Sequence, residues 1–154
     1  MESIVFATKG PRIEALNEVI MLPGTVATWL QSGTITRPTL TYTSVAACRT
    51  ARLVVIESSE FDGGINTPYP IGAPTGQEWL VSVIAAQPGD MFWLRATSSI
   101  GTGGERVRVD SLGGTGELIT TFAADQEYLA FGYTMGPSEL IGGVNWVKVQ
   151  VSGN

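Results

Sequence analysis

Histidine is absent from this chain, and with it goes the commonest general base of enzymes and the commonest side-chain ligand of transition metals. Ser-His-Asp and Cys-His catalytic arrangements are excluded. Cysteine occurs once, at Cys48, so no internal disulfide forms and a Cys/His zinc site lacks ligands. Cys48 reads either as a reactive thiol or as a small apolar side chain packed beside Ala46 and Ala47. The lack of disulfides agrees with assembly in a reducing cytoplasm. Lysine occurs only at Lys9 and Lys148, and charged residues make up 15% of the chain, against about 25% in an average soluble domain. No stretch approaches the roughly 20 apolar residues of a membrane-spanning helix. The start, Met1 to Lys9, lacks the basic region and long apolar run of a secretory signal peptide. From these absences we expect no enzyme activity, no cofactor and no metal.

What is present favours strands. The chain has 154 residues, 44% of them apolar, with 19 glycines and frequent Thr, Ser and Val. This length suits one domain with its own core, and this mixture suits strands and turns. The net charge is −5 and the nine Lys and Arg are scattered, so neither a nucleic acid nor an anionic membrane surface is an expected partner.

Residues 1–11 form a lead closed by Gly10-Pro11, which breaks regular structure. Ile13 to Met21 could start as a helix at Glu14-Ala15-Leu16, but the Val19-Ile20-Met21-Leu22 run and Pro23-Gly24 favour a strand. Val26 to Gln31 and Thr39 to Thr43 read as extended. Leu53-Val54-Val55-Ile56 is a continuous apolar run of the kind covered on both faces, as is Trp79 to Ala86. Between them, residues 58–78 form a Gly- and Pro-rich loop. Pro88-Gly89-Asp90 is a tight turn. After it, Phe92, Leu94 and Ala96 share one face. In Glu105 to Ser111, Val107 and Val109 point inward while Arg106, Arg108 and Asp110 point outward. Glu117 to Phe122, Glu127 to Thr134 and Val144 to Val151 complete the set; in the last, Val147, Val149 and Val151 oppose Trp146, Lys148 and Gln150. About nine short strands separated by Gly and Pro turns predict an all-β fold, a single-domain barrel or sandwich over 12–154 behind an extended N-terminal arm at 1–11.

The remaining chemistry is sparse. Gly101-Thr102-Gly103-Gly104 misses the G-x-G-x-x-G fingerprint because Arg106 stands at its last position, and no Gly-Lys-Ser/Thr occurs. Hairpin turns account for these glycines. Glu57, Glu60 and Asp62 could hold an acid/base pair or calcium, but their spacing is not that of an EF-hand, and a solvated loop rim explains them. Trp93 lies opposite Phe92 and Leu94, and Trp146 opposite Val147 and Val149. Two arrangements fit. The indoles face outward as a sugar- or protein-binding surface, or both faces of the sheet are covered.

The order of several short patterns resembles the small capsid decoration, or head-stabilising, proteins of tailed bacteriophages. These are the Lys9-Gly10-Pro11-Arg12 lead, Val19-Ile20-Met21-Leu22-Pro23-Gly24-Thr25-Val26, Leu53-Val54-Val55-Ile56-Glu57, Tyr69-Pro70-Ile71-Gly72 and Pro88-Gly89-Asp90-Met91-Phe92-Trp93-Leu94. Tyr128-Leu129-Ala130-Phe131-Gly132 and Val144-Asn145-Trp146-Val147-Lys148-Val149 follow. The resemblance covers nearly the whole chain and contains no signature motif, so it carries over no site residues. It implies a virion protein on the capsid exterior, present in the host cytoplasm during assembly, with the major capsid protein as partner and a homo-oligomer, a trimer above all. A carbohydrate-binding, lectin-like module is the competing expectation. Ile4, Val5 and Phe6 are β-formers with no evident place in the later strand pattern. They read either as an arm that adds as a strand to a neighbour or as a frayed terminus. With Trp93 and Trp146 they make up the expected partner-binding set.

Overall fold

The structure, a computed structural model, describes residues 4–17, 21–29, 35–36, 52–58, 79–110, 116–120 and 130–153. Among them are twelve strands and no helix, so the all-β expectation holds. Cys48, the 39–43 strand and nearly all of the 58–78 loop lie outside the described residues.

Five strands close a barrel in the order β2-β4-β3-β5-β6: β2 (Arg12–Asn17), β3 (Val26–Trp29), β4 (Ile35–Thr36), β5 (Leu53–Ser58) and β6 (Trp79–Ala85). The ambiguous segment after Pro11 is therefore strand at Arg12–Asn17, in register with β6 from Arg12–Ile84 to Asn17–Trp79. The other seven are β1 (Val5–Ala7), β7 (Met91–Ala96), β8 (Arg106–Val109), β9 (Leu118–Ile119), β10 (Gly132–Thr134), β11 (Glu139–Ile141) and β12 (Val144–Val151). They run β1-β7-β9-β8-β10-β12-β11, and a further β7–β12 pairing brings the ladder back on itself.

Period-two alternation explains how the barrel and the second sheet share a core. Leu53 and Val55 fill the barrel with Ala15, Met21, Ala27, Ile35, Val81 and Val83. Val54, one residue out of phase, points the other way and joins Val26 and Ile84 against Phe92, Leu94, Val107, Val109, Val147 and Val149 of the second sheet. An apolar run without polar interruption is what a strand between two packed layers requires, and the two-faced reading of Leu53 to Ile56 is borne out. So is the inward set Phe92, Leu94, Ala96, Val107, Val109, Val147, Val149 and Val151, all buried. Arg108 keeps the outward phase of Arg106, yet it is buried there, and its Nη1 donates to the Val109 carbonyl.

Two polar junctions tie the layers. At the first, the Gly24 N–H donates to the Val55 carbonyl at 2.8 Å and the Gly24 carbonyl accepts from the Arg95 N–H at 2.8 Å, so a single residue bonds barrel and sheet. At the second, the Arg52 guanidinium donates to the carbonyls of Phe131 at 3.2 Å, Ser152 at 3.3 Å and Ala130 at 3.4 Å. It also stacks 5.3 Å from the Phe131 ring centroid. Burial pulls its pKa below the ordinary value, a desolvation cost offset by bonds that a planar five-donor fork makes well. Arg52→Ala should lower stability by about 2–3 kcal/mol, since three carbonyls lose a charged donor. Arg52→Lys should recover less than half of that loss, because a point charge cannot reach three acceptors at once. Urea denaturation of the three proteins checks both expectations.

The N-terminal lead is extended, as expected, but residues 4–8 are not detached from the domain. Val5 pairs with Phe92 and Ala7 with Met91, and the Trp93 N–H donates to the Ile4 carbonyl at 2.6 Å. Ile4 and Val5 pack on the core shared by the two layers. Asp90, buried in the Pro88-Gly89-Asp90 turn, accepts from Thr8 Oγ1 at 2.9 Å and from the Lys9 N–H at 2.7 Å. The lead has a place after all, on the edge of β7, because the turn before β7 supplies a carboxylate that fastens the chain just past β1.

Candidate interaction surface

The face of the second sheet that points away from the core is set by register. In antiparallel pairs, directly opposed residues project to the same side. Trp93 opposes Lys148, Arg95 opposes Trp146 and Met91 opposes Gln150. Tyr133 opposes both Gln150 and Arg106, and Glu139 opposes Trp146. Since Phe92, Leu94, Val147 and Val149 occupy the core side, all of these residues lie on the outer side. Phe6 joins them, because the Lys148 ammonium sits 5.0 Å from the Trp93 ring centroid and 5.7 Å from that of Phe6. Met135 donates its N–H to the Lys148 carbonyl at 2.9 Å, which sets it beside that lysine.

The five residues expected to bind a partner fare differently. Phe6 is 43% exposed and lies on this face. Ile4 and Val5 turn to the core instead. Trp93 and Trp146 do lie opposite Leu94 and Val147, as the alternation required, but they are only 8% and 7% exposed. Both faces of the sheet are covered at these positions, and the outward reading of the two indoles is corrected. The Trp146 ring is capped on one side by the Arg95 guanidinium, 4.9 Å from its centroid, and it closely approaches Gly24. The Arg95 Nε also donates to the Pro23 carbonyl at 2.7 Å. Burial pulls the Arg95 pKa down and nearby Glu117 pushes it back up. Trp93 is roofed by Lys148, whose long stem covers apolar surface while its ammonium stays in water.

The exposed apolar side chains of this face are Phe6, Tyr133 at 45% exposure and Met135 near Lys148, and Ile141 farther along, opposite Val144; the polar Arg106, Glu139 and Gln150 are exposed with them. Sequence reasoning missed Tyr133, Met135 and Ile141. Their signal is the outward phase of short strands, which becomes legible only once the register is known. Among the described residues, no group of three or more Cys, Asp or Glu is placed to hold a metal ion, and no helix is long and apolar enough to cross a membrane. No protein-family model matches the chain, and no curated protein matches it.

Proposed function

We propose that this chain is a structural virion protein that binds the exterior of an assembled tailed-phage capsid and stabilises it. The observation that carries the reading is the outer face of the second sheet. Aromatic and methionine side chains stand exposed there beside Lys148, and these apolar residue types are the ones enriched at protein interfaces. The order of sequence patterns shared with capsid decoration proteins supports the same reading. The competing glycan-binding reading drew on Trp93 and Trp146 as stacking platforms, and their burial removes that support.

Such a protein performs no chemistry. It acts by mass action: it binds the assembled lattice and not the free subunits, so occupancy shifts the equilibrium toward the lattice. Repetition over a symmetric shell turns a modest affinity per site into a large total effect. The test is co-sedimentation with undecorated shells of the major capsid protein encoded nearest to this chain. The chain should pellet with shells to saturation and stay in the supernatant with unassembled subunits. Equal binding to both, or to neither, would count against the proposal.

A further inference from the structure

The charge of the outer face runs opposite to that of the chain. The protein carries 14 Asp and Glu against nine Lys and Arg. Yet the outward positions of β7, β8, β10 and β12 hold Arg95, Arg106, Arg108 and Lys148 and no carboxylate. Glu117 and Asp110 lie beyond the ends of β9 and β8, and Glu139 lies on the marginal strand β11. Four of the nine cations of an acidic protein therefore share one sheet face. Two of them are tied down within the chain: Arg95 on Trp146 and Pro23, and Arg108 by burial, while Arg106 stands opposite Tyr133. Lys148 is held differently. It is exposed, and two aromatic rings fix its ammonium while among the described residues no carboxylate bonds to it. Its position is set before any partner arrives, so docking there loses little side-chain entropy.

We infer that this face, centred on Lys148 with Phe6, Tyr133 and Met135 around it, docks a folded protein surface that presents a carboxylate within an apolar patch. The inference rests on the capsid-binding proposal and specifies its contact: the carboxylate belongs to the assembled shell. Charge complementarity selects the partner. A bare polyanion would leave the apolar ring of Phe6, Tyr133 and Met135 unused. The carboxylate meets Lys148, whose charge the two rings already hold, and the apolar side chains exclude water around the pair, the arrangement in which a charge contact adds specificity.

The test measures shell binding for the wild type and four variants. Lys148→Glu should weaken binding by about tenfold or more, like charge replacing opposite charge, while lowering the melting temperature by only about 2–4 °C, the loss of a cation over the Trp93 and Phe6 rings. Lys148→Arg should restore most of the binding. Tyr133→Ala should weaken it, and Leu140→Ala, an exposed side chain on the other side of β11, should not. Wild-type binding should fall as salt rises. If the wild type binds shells and Lys148→Glu binds equally well, or Lys148→Arg is as weak as Lys148→Glu, the assigned face is wrong while the capsid reading stands. Displacement of the shell by single-stranded DNA, or loss of binding in Leu140→Ala alone, would also overturn it. If the wild type binds no shell, the capsid reading itself falls.

Discussion

Replacing Gly24 by alanine should destabilise this protein by about 3 kcal/mol, although the change adds one methyl group. Two effects combine. Gly24 has φ of 84°, where an L side chain costs about 1–2 kcal/mol. A Cβ there would also lie 2.8 Å from Trp146 Cη2 and nearer still to Cζ3. The ring cannot withdraw freely, because Trp146 is buried and Arg95 stacks on it, so the overlap costs about 1–3 kcal/mol more. At roughly 2–4 °C per kcal/mol for a domain of this size, the midpoint should drop by roughly 6–12 °C. Trimming the ring in a Gly24→Ala, Trp146→Leu double variant should recover about 1 kcal/mol relative to additivity, since the two residues touch. Thermal melts of the four proteins decide it. A Gly24→Ala midpoint within about 2 °C of wild type would mean that the turn is not held against Trp146.

Deletion of residues 1–8 should lower stability by about 3–5 kcal/mol. Ile4 and Val5 each lose burial against the shared core, about 1 kcal/mol apiece for half-buried aliphatic side chains. The edge of β7 loses its backbone partner at Trp93. Asp90 keeps the Gln87 N–H and a donor at the Lys9 nitrogen, then the terminal ammonium, but loses the Thr8 hydroxyl. A buried carboxylate left short of donors costs about 1–3 kcal/mol. An arm that adds to a neighbour, or a frayed terminus, would leave the melting temperature unchanged on deletion. The ladder to β7 requires a clear drop, and a truncated protein that melts like the full chain would show the ladder to be unimportant. Asp90→Ala in the full-length chain should reproduce part of the loss, because it leaves β1 in place and removes only its fastening.

Alternation in the sequence was sufficient to place the interior. The phase of Phe92, Leu94 and Ala96, and of Val147, Val149 and Val151, is the phase found, because a strand with one wholly apolar face has only one way to bury it. The uninterrupted Leu53 to Ile56 run announced a layer between two others for the same reason. Three features were not legible. The strands β1, β4 and β11 have three residues or fewer, too short to carry a period. The junctions at Arg52 and Gly24 depend on residues far apart in the chain, such as Ser152 and Trp146, and no local pattern marks them. Alternation also gives the side on which a residue lies and not what lies against it. For Trp93 and Trp146 it gave the side and left open whether that side is covered, since their covers, Lys148 and the Gly24 turn with Arg95, come from cross-strand register and from a distant loop. The outer face that replaces them as the candidate surface became visible only when β10 and β11 were placed beside β12.

Calorimetry of undecorated shells over a range of free chain concentrations reads out the proposed stabilisation of a capsid lattice. Binding only to the assembled state should raise the shell's melting temperature continuously with concentration. The added stability per site should reach about 2.7 kcal/mol when the free chain stands at about 100 times its dissociation constant. Lys148→Glu should shift that curve to higher concentration without changing its plateau. A shell that melts at the same temperature with and without saturating chain would overturn the capsid proposal.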